Sequence, residues 1–138
     1  MPENSPSLTT ELQELLLVAV GAVPGALLRW QFSVVLHDRD VLVNVFGSLI
    51  LGLLLGLPYR PRLQLLAGIG FCGSLTTFSS WMVNSVDLIH QGRPMAAVGL
   101  IGLTLGLGIG AAWLGSLFGR WASRQANDWQ QQAETGRV

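Results

Sequence analysis

Apolar and polar positions divide the chain into four long apolar stretches separated by three short polar ones. The first covers residues 12–36 and the second residues 41–57, with His37-Asp38-Arg39-Asp40 as a tight polar turn between them. Pro58-Tyr59-Arg60-Pro61-Arg62 closes the second stretch, because two prolines this close cannot continue a helix. The third covers residues 63–89 and ends at His90-Gln91-Gly92-Arg93-Pro94, where Pro94 is placed to open a fourth helix over residues 94–118. A helix of about 20 mostly apolar residues crosses a bilayer, so each stretch is at or near spanning length, the second being the shortest. The pattern predicts an all-α membrane protein of four transmembrane helices. It divides the chain into a polar N-terminal segment (residues 1–11), a four-helix domain (12–118) and a polar C-terminal tail (119–138). The tail is expected at the surface, partly helical or disordered.

Composition strengthens this picture. Half of the 138 residues are apolar and 12% are charged, against about 25% charged in ordinary soluble domains. Mean hydropathy is +0.48. A soluble domain of this size could not cover so much apolar surface with so few charges, so lipid must be its solvent. Eight basic residues, all Arg, balance eight acids, and no basic patch points to nucleic acid. His37 and His90 lack metal-ligand spacing, and Cys72, alone and flanked by Phe71 and Gly73, reads as a packed thiol. The start of the chain is acidic, whereas a secretory signal opens with a basic region. The first apolar stretch is therefore expected to stay as a membrane helix. No carboxylate cluster, Ser–His pair or metal set suggests an enzyme. Four crossings put both termini on one side, with Arg60, Arg62, Arg120 and Arg124. Arg39 and Arg93, with Arg29 late in the first helix, lie toward the other. So small a bias leaves two readings open: insertion in both orientations, as an antiparallel homodimer requires, or a single orientation with the termini inside.

Small residues recur at every fourth position, as Ser48, Gly52 and Gly56 on the second helix and Gly102, Gly106 and Gly110 on the fourth. Such spacing lets helix backbones approach closely in lipid, within a subunit or across a dimer. The third helix is unusual. After Gly68, Gly70 and Gly73 come Thr76, Thr77, Phe78, Ser79, Ser80 and Trp81, followed by Asn84, Ser85 and Asp87. Individual Ser and Thr residues can bond back to their own helix, but five hydroxyls and an amide in ten residues exceed what that requires. Glycine followed by hydroxyl residues favours a break, and unwound backbone at membrane depth survives only inside protein or along a wet cavity. Freed carbonyls at such a break suit a cation, and half-helix N-termini suit an anion. Phe78 and Trp81 share a helix face, and the positive ring edges of aromatics can line an anion path without a fixed charge. Asn44 adds an amide donor on the second helix, or alternatively an interhelical hydrogen bond. Residues 68–73 also match GxGxxG, but without a preceding strand, a βαβ unit or a downstream acid the match carries no nucleotide-binding meaning.

Gly25-Ala26-Leu27-Leu28-Arg29, Val43-Asn44-Val45-Phe46-Gly47-Ser48 and Gly70-Phe71-Cys72-Gly73-Ser74-Leu75-Thr76-Thr77-Phe78-Ser79 occur in that order. Together they resemble signatures of the CrcB/Fluc family of fluoride channels over residues 15–118. The resemblance implies an antiparallel, dual-topology homodimer in the inner cell membrane, with two pores that each let fluoride leave passively. By motif position it implies that Asn44 bonds fluoride, that Phe78 is the first of two pore phenylalanines, and that Ser79 and Ser80 offer hydroxyls along the track. Arg29 would stand near a vestibule. The backbone carbonyls of Gly73 and Thr76 would hold a central structural sodium ion. Two positions depart from the family: Trp81 stands where it has the second pore phenylalanine, and Asn84 stands in the pore where it has a carboxylate. Thr104 is a further polar position, loosely aligned. A small multidrug proton antiporter would need an ionisable group in the membrane. The first helix has no carboxylate after Glu14, and Asp87 lies near the end of the third. A scaffold that only packs helices leaves Asn44 and the hydroxyl-rich segment without a role.

Overall fold

A computed structural model describes residues 7–36 and 40–135, so most of the predicted turn at residues 37–40 lies outside the described residues. Among the described residues every regular element is helical. Three segments, Leu8–Val35, Pro61–His90 and Pro94–Asp128, are long and apolar enough to cross a membrane, and Val41–Gly56 is a shorter apolar helix.

Helix α1 spans Leu8–Leu36, starting before the apolar run. Ser7 caps it: the Thr10 N–H lies 2.8 Å from the Ser7 carbonyl oxygen and 3.4 Å from its hydroxyl, and Glu11 in the first turn suits the positive end of the helix. Helix α2 spans Asp40–Gly56 and stops just short of Pro58, which disfavours helical backbone in the residue before it. Residues 61–75, here α3, comprise an α-helical turn at Pro61–Leu63, a π-helical stretch at Gln64–Cys72 and a second α turn at Gly73–Leu75. Residues 76–78 are not helical, and α4 runs over Ser79–His90. Gly92, with φ 74°, closes α4. Its N–H reaches the Ile89 carbonyl at 2.9 Å, and the Arg93 N–H reaches that of Leu88 at 2.9 Å, which satisfies the last carbonyls before Pro94 opens the next helix.

Helix α5 is continuous over Pro94–Thr135. The helix runs through most of the polar segment that follows residue 118, for which partial helix was one of the two expectations. At 1.5 Å per residue α5 is about 63 Å long, twice the roughly 30 Å of a hydrocarbon core. Nothing in residues 119–135 stops a helix: the stretch has no proline, and Arg, Ala and Gln, all good helix formers, dominate it. Its first turn is tied to α2, since the Ser123 hydroxyl lies 2.8 Å from the Gly119 carbonyl oxygen and 3.3 Å from that of Gly56.

Two seams hold the helices together. In one, α2 lies on α5: Gly52 meets the Ala112 backbone, Gly56 meets Ser116 and Gly119, and Gly115 meets the Leu49 carbonyl. In the other, α1 lies on α3, with Gly21 against the Leu66 carbonyl and Gly25 against Phe71 and Ser74. A Cβ at any of these positions would overlap its neighbour. In lipid, where burying apolar surface gives little driving force, this close backbone contact is what holds helices together. The small-residue stripe on α2 packs within the subunit, against Ala112, Ser116 and Gly119 of α5. Gly102, Gly106 and Gly110 face open space in this chain. Outside the seams most large apolar side chains are exposed, as a lipid-facing surface requires. Trp30 near the end of α1, Tyr59 between α2 and α3 and Trp121 just past the apolar stretch of α5 are among them, where amphipathic rings suit a membrane–water boundary.

Candidate functional site

The gap between α3 and α4 interrupts the helical hydrogen-bond ladder. Thr76 is extended (φ −74°, ψ 154°), so the groups around it need other partners. The buried side chain of Asn44 supplies them for Thr77. The Thr77 N–H donates to Asn44 Oδ1 at 2.7 Å, and Asn44 Nδ2 donates to the Thr77 carbonyl at 2.8 Å. The amide thus acts as a short strand partner for one residue of the break. One Nδ2 hydrogen and one Oδ1 lone pair remain beyond these bonds.

The hydroxyls of this region separate into two groups. Thr76 donates to the Cys72 carbonyl at 2.9 Å, Ser85 to that of Trp81 at 2.7 Å and Ser74 to that of Phe71 at 3.1 Å. These follow the ordinary back-bonding pattern of hydroxyls in helices. Thr77, Ser79 and Ser80 instead form a cluster: Thr77 Oγ1 lies 3.4 Å from Ser79 Oγ and 3.2 Å from Ser80 Oγ. Arg29, half-buried on α1, reaches this cluster and donates through Nη2 to Thr77 Oγ1 at 2.8 Å. Thr77 itself is buried and joins α1, α2 and the break. Motif position gave it no role of its own; in the sequence it is one hydroxyl of the run and one residue of the third signature.

Phe78 is 69% exposed, while Trp81 one turn later is buried. Their rings meet edge to face, with centroids 4.9 Å apart and planes at 78°. Asn44, Gly73, Thr76, Phe78, Trp81 and Thr104 share the wall of one groove of about 440 Å³. The buried Thr104 hydroxyl donates to the Leu100 carbonyl at 2.8 Å, leaving its acceptor side for the groove. The site residues divide around this groove. Arg29, Ser79 and Ser80 cluster at Thr77 and do not line the groove, and Ser79 is exposed. Asn84, half-buried on the following turn of α4, is outside the groove lining and has no hydrogen bond among the described residues.

The break also releases carbonyls. In a continuous helix the Gly73 and Thr76 oxygens would accept from the Thr77 and Ser80 N–H groups. Here the Thr77 N–H goes to Asn44, and the Ser80 N–H faces Thr77 Oγ1 at 3.5 Å. Gly73 also opens onto free space.

A family model described as "CrcB-like protein, Camphor Resistance (CrcB)" matches residues 16–116, which includes every residue of this site. The fluoride-specific ion channel FluC 2 of Synechococcus sp. (strain CC9902) is 67% identical over 114 residues, covering 83% of this chain and 85% of that one. FluC 2 of Synechococcus sp. (strain CC9605) is 63% identical over 120 residues, covering 87% and 91%. A more distant relative, the fluoride-specific ion channel FluC 1 of Thermobifida fusca (strain YX), is 38% identical over 117 residues, covering 79% and 98%. With a matched region that spans the α1–α3 and α2–α5 seams and the break, the chain belongs to the CrcB-like family.

Proposed function

We propose that this chain is a fluoride-specific ion channel that lets fluoride leave the cell passively across the inner membrane, lowering cytoplasmic fluoride and giving fluoride resistance. The observation that carries the reading is the donor set at the break. Fluoride is strongly hydrated, and a pore must replace its water with hydrogen-bond donors. Asn44, Ser79, Ser80 and the ring edges of Phe78 and Trp81 are neutral donors grouped at a helix interruption within an apolar span. None is a cation that would hold the ion in place. Arg29, the cation at this cluster among the described residues, already donates to Thr77. Relatives of high identity that carry the name fluoride-specific ion channel support the same reading.

The working unit is an antiparallel homodimer with two pores, each chain crossing four times. A groove of about 440 Å³ has the volume of roughly fifteen waters, too wide to strip an ion of its shell. Phe78 on the groove wall is exposed, and Gly102, Gly106 and Gly110 on α5 are uncovered in one chain. A second copy would narrow the groove and cover them. The carbonyl oxygens of Gly73 and Thr76 fit a central sodium ion, because both lack their helical N–H partners and oxygen donors suit a hard monovalent cation. Such an ion would brace the break. Asn84 would line the pore of the assembled dimer.

Efflux from proteoliposomes tests the reading. Purified protein is expected to release fluoride rapidly and chloride slowly. No fluoride release, or equal release of both, contradicts it.

A further inference from the structure

We infer that Thr77 is a positioning residue that turns the charge of Arg29 into outward-facing hydroxyl donors for a small, strongly hydrogen-bond-accepting anion. The inference rests on the fluoride reading only for the identity of that anion. Its basis is an inventory of donors and acceptors. A guanidinium donates and never accepts, and a hydroxyl has one hydrogen and two acceptor positions. Thr77 Oγ1 faces Arg29 Nη2 at 2.8 Å and the Ser80 N–H at 3.5 Å, so both its acceptor positions face donors. In the inferred arrangement its single hydrogen is left for a serine, with Ser80 Oγ at 3.2 Å and Ser79 Oγ at 3.4 Å.

The consequence falls on Ser80. Its oxygen lies between the Thr77 hydroxyl and Arg29 Nη2 at 3.5 Å. Its own hydrogen has no acceptor among the described residues, and the side chain is half-buried, not sealed. The ordering therefore runs in one direction, from guanidinium to Thr77 to Ser80 to whatever acceptor approaches. Hydrogen bonds in such a chain polarise one another, so the terminal O–H is a stronger donor than an isolated serine. An anion meets that donor and not the guanidinium, which avoids the tight ion pair that would stop conduction. The Asn44 clamp holds the Thr77 backbone so that this orientation persists.

Thr77→Val keeps the shape and removes the hydroxyl, and Thr77→Ser keeps the hydroxyl. Fluoride efflux from proteoliposomes is expected to fall about tenfold in Thr77→Val, as loss of a charge-linked hydrogen bond implies, and to stay within about twofold in Thr77→Ser. Ser80→Ala is expected to fall by a similar factor, and the double variant Thr77→Val/Ser80→Ala no further than either alone, because the two act in one chain. Wild-type rates in Thr77→Val, or losses that multiply in the double variant, overturn the inference. If Thr77→Val does not assemble, wild-type efflux in Ser80→Ala does so.

A second readout is independent of the anion. Modification of Arg29 by phenylglyoxal, followed by peptide mass spectrometry, is expected to speed up about fivefold in Thr77→Val and not in Thr77→Ser. If the wild-type protein passes no fluoride, the fluoride reading falls and the relay is judged on these rates. Equal Arg29 rates in wild type and Thr77→Val then overturn it.

Discussion

The α2–α5 seam and the break between α3 and α4 solve opposite problems in the same membrane. Along the seam, Gly52, Gly56, Gly115 and Gly119 bring two unbroken helices into backbone contact, and polar side chains contribute little. At the break, three residues leave the helix; Asn44 on α2 bonds the Thr77 backbone, and Arg29 on α1 bonds the Thr77 hydroxyl. The seam needs only the absence of Cβ atoms, so its tolerance is set by volume. The break needs particular donors and acceptors, so its tolerance is set by hydrogen bonding. On the proposed function, stability thus resides mainly in the first region and ion chemistry in the second, and substitutions should separate the two.

The largest effect is expected from Gly52→Leu, which drives a side chain into the Ala112 backbone. It should cost about 3 kcal/mol or more and leave little monodisperse protein by size-exclusion chromatography. Gly106→Leu is the matching control. This glycine faces open space within the chain, so the fold of one chain should change by less than about 0.5 kcal/mol in thermal unfolding, while cross-linking should show less dimer.

Asn44→Asp comes next, since a carboxylate still accepts from the Thr77 N–H but cannot donate to the Thr77 carbonyl. The stability loss should be about 1–3 kcal/mol. Fluoride efflux should vanish, with a negative charge now facing the anion route. Phe78→Ile should keep the assembly within about 1 kcal/mol, the scale of one aromatic pair, and still abolish efflux. Unchanged efflux would remove the ring from the pathway. For conduction, the smallest change is expected from Trp81→Phe. The indole N–H has no partner among the described residues, and the swap should shift stability by less than about 1.5 kcal/mol with efflux kept.

Much of this division was legible in the residues themselves. The polar punctuation at Pro58 and at His90–Pro94 located helix ends closely, because proline and a left-handed glycine act locally. The glycine and hydroxyl run pointed to residues 73–80 for the same reason. What was not legible depends on partners distant in sequence. Spacing marks a small-residue face but does not say which face covers it, so the packing of Gly115 and Gly119 against α2, and the uncovered row at Gly102, Gly106 and Gly110, needed three dimensions. The part played by Thr77 was hidden likewise, since its partners Asn44 and Arg29 lie 33 and 48 positions away. A count of hydroxyls does not separate those that bond their own helices, as Thr76 and Ser85 do, from those that cluster across elements. Apolar periodicity was silent on the π-helical stretch and on the length of α5, since neither depends on alternation between lipid and water.

The central claim is that neutral donors at the break pass fluoride and reject chloride. A planar bilayer with equal concentrations of fluoride on one side and chloride on the other measures this directly through the reversal potential. The account predicts a large potential of the sign set by fluoride permeation, lost in Phe78→Ile along with the current. A reversal potential near zero with sustained current would mean that both anions pass alike, and would contradict it.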